Sequence, residues 1–140
     1  MTRVVVGYDG SEGARAALDW ARQEARLRAA PLVVVHAWAM PFSPAYAGLP
    51  VPELQVQEAA KQGARRVLDE ALSLLDDQAA VEALLVEGGA AAGLIGVVNA
   101  DDILVVGSRG RGGFASLLLG STGQQLAQHA PCPVVIVTRR

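Results

Sequence analysis

An α/β fold is what this 140-residue chain predicts, because five β-branched apolar runs alternate with stretches of helical periodicity. The runs are Val4–Val6, Leu32–Trp38, Val81–Val86, Ile103–Val106 and Val134–Val137. Strands joined by helical crossovers imply one parallel sheet with helices on both faces. Hydrophobic residues make up 51% and charged residues 19%, enough apolar content for one packed core at this length. A single three-layer α/β/α domain over residues 1–140 follows, with no repeat or linker.

Val4-Val5-Val6 ends at Gly7, and its unbroken β-branching suits a strand buried on both faces. Asp9-Gly10-Ser11 then turns the chain. Ser11 stands as an N-cap and Glu12 occupies the first helical turn, where the helix dipole favours an acid. Ala14, Leu18, Ala21 and Ala25 form one apolar stripe, and Pro31 is expected to close that helix. Leu32 to Trp38 is the second strand.

Residues 39 to 52 carry Pro41, Pro44, Pro50 and Pro52, a density that only a loop tolerates. Helical spacing resumes near Glu53, with Ala64, Val67, Leu68, Ala71, Leu72 and Leu75 on one face. Val81 to Val86 is the third strand, broken by Gly88-Gly89. Leu94, Ile95 and Val98 mark a short third helix before the fourth strand. The last helix is expected near Ser121 to Gln128, ahead of Pro131 and the fifth strand.

Composition excludes several functions. Twelve basic against 14 acidic residues leave a net charge of −2, with no electrostatic footprint for nucleic acid or an anionic membrane. No apolar run approaches the ~20 residues of a membrane span, and the first residues lack a signal-peptide pattern. A lone cysteine, Cys132, excludes an internal disulfide and a cysteine-cluster metal site. A cytoplasmic location is expected.

The chemistry concentrates in Gly107-Ser108-Arg109-Gly110-Arg111-Gly112-Gly113 and in Gly120-Ser121-Thr122-Gly123. The first group leaves strand four and the second opens the last helix. Glycines there let backbone N–H groups approach a phosphate, and a helix N-terminus adds unpaired donors and partial positive charge. Ser121 and Thr122 contribute hydroxyls. Arg109 and Arg111 are either counter-charges or solvated surface groups. Ser121 also stands where the helix N-cap is expected, a role compatible with holding an anion. A P-loop is excluded, since the only lysine is Lys61, in the second helix. The dinucleotide fingerprint fails as well, because from Gly110 and Gly112 its third glycine would fall at Ala115.

The spacing that does fit is Gly107, two residues, Gly110, nine residues, then Gly120-Ser121. It resembles the glycine signature of the ATP-binding branch of the universal stress protein family. The resemblance extends along the chain through Val4-Val5-Val6-Gly7-Tyr8-Asp9-Gly10-Ser11, Val34-Val35-His36-Ala37, Val105-Val106-Gly107-Ser108-Arg109-Gly110 and Ala130-Pro131-Cys132-Pro133-Val134-Val135. It implies a Rossmann-like, adenine nucleotide alpha hydrolase-like sheet ordered 3-2-1-4-5. Strand order then reverses between strands one and four, the kind of switch point where open α/β sheets bind ligands.

By the same resemblance Asp9 contacts the adenosine end and the backbone of Ala37 reads the adenine edge. Gly107, Arg109, Gly110, Gly120, Ser121 and Thr122 hold the phosphates of ATP. Mg²⁺ or Mn²⁺ is expected through phosphate oxygens rather than a protein metal site. The family pattern further implies a homodimer through the C-terminal strand, 134–138, and a regulatory, stress-response role. One departure stands out: relatives often carry Gly-x-Pro after strand three, where this chain has Gly88-Gly89-Ala90.

No residue reads as catalytic, since no general base or cysteine–histidine pair accompanies the loop, so at most weak ATP hydrolysis is expected. The alternatives are a slow ATPase and a nucleotide-free dimeric partner-binding module. His36 and the two tryptophans, Trp20 and Trp38, read as packing residues, Cys132 as a structural thiol, and His129 as a complement to a helix dipole.

Overall fold

A computed structural model describes residues 2–40, 53–75, 80–108 and 119–138. Its elements are β1 (Val4–Gly7), α1 (Glu12–Arg28), β2 (Leu32–Trp38), α2 (Glu53–Ser73), β3 (Val81–Glu87), α3 (Ala90–Val97), β4 (Ile103–Gly107), α4 (Ser121–His129) and β5 (Val134–Val137). All four pairings are parallel, in the order β3-β2-β1-β4-β5. The expected class and strand order are therefore those of the molecule.

Alternation along the strands divides the core into two layers. Val4, Val6, Leu32, Val34 and Val105 pack under α1 and α2 with Ala14, Ala17, Leu18, Ala21, Ala25, Leu68 and Ala71. Val5, Val33, Val35, Leu104 and Val106 face the other way, against Ala91 and Leu94 of α3 and Leu126 of α4. Every residue of the expected α1 stripe is buried, and Ala17 joins it. On α2 the expected stripe narrows: Ala64, Leu68 and Ala71 are buried, whereas Leu72 is 36% exposed. That helix packs mainly on β2 and β3, at the β3 edge of the sheet, so the margin of its apolar face overhangs.

Several boundaries differ from the sequence reading. Helix α1 stops before Pro31 is reached. Ala29 takes the left-handed conformation (φ 52°), its N–H bonds the Arg26 carbonyl, and the Ala30 N–H bonds that of Ala25. This is a Schellman closure with alanine where glycine is usual. Strand β3 continues to Glu87, and α4 reaches His129. The fifth strand ends at Val137, so Thr138 of the expected 134–138 segment lies outside the ladder. Without the Gly-x-Pro pattern, α3 still starts at Ala90, because Gly88 adopts φ 124° and turns the chain while Gly89 supplies an extended N-cap.

At the amino end of the sheet the buried Asp102 carboxylate accepts from the Arg3 backbone, Nε and Nη2 and from the Asn99 backbone. The Arg3 guanidinium holds that carboxyl below the usual range. The pair ties the starts of β1 and β4 together.

Candidate functional site

Strand β1 is short, and its neighbours outrun it. Pairing with β2 stops at Gly7 opposite Val35, three residues before β2 ends at Trp38. Pairing with β4 stops at Val6 opposite Val105, two residues before β4 ends at Gly107. A gap therefore opens beyond the carboxyl end of β1, flanked by β2 and β4. It lies at the point where strand order reverses.

Hydrogen-bond parity shows which backbone groups face that gap, because successive residues of a strand bond to alternate sides. Val35 accepts from Tyr8, the residue just past β1, whereas Trp38 accepts from Gly88 beyond β3. Ala37, in step with Val35, therefore directs its N–H and C=O toward the β1 side. On β4, Ile103 donates to Arg3 while Leu104 donates to Pro133. Gly107, in step with Ile103, directs its own polar groups to the same gap.

The turn after β1 is held by its own side chains. Asp9 Oδ1 accepts the Ser11 N–H at 2.9 Å, and Ser11 Oγ accepts the Ala14 N–H at 3.1 Å as the N-cap of α1. Gly10 sits at φ 83°, which favours glycine. The half-buried His36 reaches back across the gap, its Nδ1 2.7 Å from the Tyr8 carbonyl. The Tyr8 ring is buried beside the Arg15–Glu70 ion pair that joins α1 to α2. Its hydroxyl completes no hydrogen bond. Burial pushes the phenol pKa up, with Glu70 adding to the rise and Arg15 opposing it.

The glycine segments meet at their ends. The Gly120 N–H donates to the Ser108 carbonyl at 2.7 Å, and the Ser108 N–H donates to Val137 at 3.0 Å. This fixes the start of α4 beside the carboxyl end of β4. Gly120, and not Ser121, is the N-cap: it has the extended conformation (φ −73°, ψ 171°), and Ser121 is already helical. A glycine cap has no side chain to bond the first turn. The N–H groups of Ser121, Thr122 and Gly123 thus belong to an uncapped helix start, the arrangement that accepts an anion.

Of the expected site residues, the structure sets Asp9, Ala37, Gly107, Gly120, Ser121 and Thr122 at the carboxyl end of the sheet; Arg109 and Gly110 lie outside the described residues. Sequence reasoning missed Gly13. A Cβ on Gly107 would stand 2.7 Å from both the carbonyl carbon and the oxygen of Gly13. The only signal was a glycine in the first turn of an otherwise alanine-rich helix. The bond of His36 to Tyr8 was missed too, since a histidine in an apolar strand reads as packing.

Among the described residues no group of three or more His, Cys, Asp or Glu side chains could hold a metal, and no helix is long and apolar enough to cross a membrane. A hollow of about 320 Å³ lies at the other end of the sheet, lined by Trp20, Glu24, Arg28, Asp101 and Pro133 among others. None of the described site residues lines it. Cys132 is half-buried, and burial raises its thiol pKa, as befits an unreactive group.

A model of the universal stress protein family matches residues 1–138. The chain is 35% identical over 136 residues to a universal stress protein of Thermus aquaticus, covering 96% of each. It is 32% identical over 140 residues to one from Mycobacterium tuberculosis, where it spans 46% of that protein's length. Other mycobacterial relatives are likewise about twice as long. Among solved structures, a universal stress protein in complex with cAMP shares 30% identity with a TM-score of 0.65, covering 98% of this chain and 96% of its own.

Proposed function

The chain belongs to the universal stress protein family, and on that premise we propose that it binds ATP at the carboxyl end of its sheet. The nucleotide acts as a ligand that changes the state of a regulatory, stress-response protein. The observation that carries this reading is the Ser108–Gly120 hydrogen bond, which holds the uncapped start of α4 beside Gly107 at the switch point. A phosphate there meets helix N–H groups and the partial positive charge of the dipole. The cAMP complex of a 30% identical relative supports an adenine nucleotide as the ligand class.

Each group then has a chemical task. Ala37 presents one N–H and one C=O toward the gap, a donor and an acceptor that match N1 and the 6-amino group of adenine. Asp9 stands at the end of β1 for the adenosine moiety. Gly107, Arg109, Gly110, Gly120, Ser121 and Thr122 take the phosphates. Mg²⁺ or Mn²⁺ accompanies the nucleotide through phosphate oxygens. No residue is assigned a catalytic role.

The proposed assembly is a homodimer through β5. Its sequence Val134-Val135-Ile136-Val137 carries no charge, whereas the opposite edge, β3, carries Glu82 and Glu87. Charged residues discourage edge pairing, and β5 has none.

Calorimetric titration of Mg-ATP into dialysed protein tests the nucleotide reading, beside a Gly110→Val, Gly120→Val double variant shown to be folded by circular dichroism. Saturable binding by the parent and none by the variant is expected. A parent without heat of binding, and without co-purified nucleotide before dialysis, overturns it.

A further inference from the structure

We infer that His36 is a positioning residue for base recognition: by taking the Tyr8 carbonyl, its imidazole keeps the Ala37 N–H unpaired for the ligand. The inference rests on the nucleotide reading above and adds to it a residue that touches no ligand.

In a parallel ladder the bond from Tyr8 N–H to Val35 C=O is followed by one from Ala37 N–H to Tyr8 C=O. The first is present at 2.9 Å, but the pairing ends at Gly7 opposite Val35 and the second is not made. His36 Nδ1 lies 2.7 Å from the Tyr8 oxygen instead. A carbonyl only accepts, so Nδ1 carries the proton and the tautomer is fixed. Ala37 keeps its pairing with Val86 on the β3 side, which holds it in strand geometry. Its N–H and C=O toward β1 are thereby set in one plane and left without a β1 partner.

The consequence is selectivity. Adenine presents an acceptor at N1 beside an amino donor, whereas a 6-oxo purine presents N1–H beside an oxygen acceptor, the reverse order. A free Ala37 N–H favours the first and opposes the second. Without the imidazole, the Tyr8 carbonyl takes the Ala37 N–H as one more rung and adenine N1 loses its donor.

The test uses the ¹⁵N-labelled full chain, His36→Leu, which removes the donor, and His36→Asn, whose amide can occupy the Nδ1 position. In the ligand-free parent, His36 is expected as the Nδ1–H tautomer, with the Ala37 amide exchanging at least about tenfold faster than that of Val35. His36→Leu should slow Ala37 exchange and weaken ATP binding roughly tenfold, the scale of one hydrogen bond. Inosine triphosphate, whose N1–H the free Ala37 N–H opposes, should bind no more weakly, so the ATP-to-ITP ratio falls at least about tenfold and His36→Asn restores most of it. An unchanged ratio in His36→Leu overturns the inference and leaves ATP binding standing. A parent that binds neither nucleotide overturns both. Should His36→Leu not fold, the parent decides alone: a bare Nδ1, or an Ala37 amide as protected as that of Val35, overturns the inference.

Discussion

Gly107 and Gly13 meet where β4 ends and α1 begins, close enough that a Cβ on Gly107 would stand 2.7 Å from the Gly13 carbonyl carbon. The contact is backbone against backbone, so no side-chain rotation relieves it. It brings the start of α1 against the end of β4. The first glycine of the signature is thus required by packing before any ligand is considered.

Gly107→Ala should therefore destabilise the protein by about 1–3 kcal/mol, the range for overpacking a well-packed site. Gly123→Ala is the control. Its Cβ would lie 2.6 Å from Leu119 Cδ1, the far end of a flexible side chain, and alanine raises helix propensity. Urea denaturation of both variants separates the cases, and equal midpoints would contradict the backbone contact.

How far the sequence disclosed this arrangement depends on the range of the interaction. The class was legible because Val4–Val6 and Val134–Val137 are β-branched runs between helical stretches, whereas the strand order came only with the family resemblance. The position of Gly120 at the carboxyl end of the sheet was legible through the glycine spacing, and those of Asp9 and Ala37 through the resemblance. The Gly13–Gly107 approach was not, because it joins residues 94 positions apart through backbone atoms that carry no sequence signature. The His36–Tyr8 bond was hidden for a similar reason, a side chain completing a backbone ladder. The N-cap was misplaced by one residue because Ser121 has the better capping side chain, yet Gly120 takes the extended conformation.

Ala29→Gly should stabilise the protein by about 1 kcal/mol. Ala29 closes α1 at φ 52°, where a Cβ is unfavourable by roughly 1–2 kcal/mol and glycine is not. The added freedom of glycine in the unfolded chain returns part of that gain. A higher urea midpoint with an unchanged slope is the expected result, and Ala29→Val should move the midpoint down.

Tyr8→Phe should be neutral or stabilising by up to about 1 kcal/mol, since the buried hydroxyl it removes makes no hydrogen bond. Thermal melting decides. A loss beyond 1 kcal/mol would mean that the hydroxyl is bonded to Arg15 or Glu70 in solution.

The Arg3–Asp102 pair makes stability pH-dependent in a defined direction. Its bond to Arg3 depresses the folded-state pKa of Asp102. The pair's contribution is thus complete above the unfolded carboxylate value of ~3.9, and it is lost as pH falls through the lower folded value. Asp102→Asn should cost about 2–4 kcal/mol at pH 7, less than a fully buried pair because Arg3 remains one-quarter exposed. Denaturation at pH 7 and at steps below pH 4 should show the gap between parent and variant narrowing on acidification. A constant gap would mean that the carboxylate is not ionised in the folded protein.

The dimer proposed through β5 can be tested without disturbing the core. Leu104 N–H bonds the Pro133 carbonyl and Ser108 N–H bonds that of Val137, so the odd-numbered residues of β5 face β4. By alternation the N–H groups of Val134 and Ile136 point outward, to the free edge. Proline at 134 removes one outward donor at the first strand position, where proline is tolerated, and leaves every bond to β4 in place. Val134→Pro should keep the parent's circular dichroism and lose some packing, because Val134 is half-buried against the α3 and α4 layer. Sedimentation velocity should show a dimer for the parent and a shift toward monomer for the variant. A parent that sediments as a monomer at micromolar concentration rules out the dimer. A variant that remains fully dimeric places the interface on a surface other than the β5 edge.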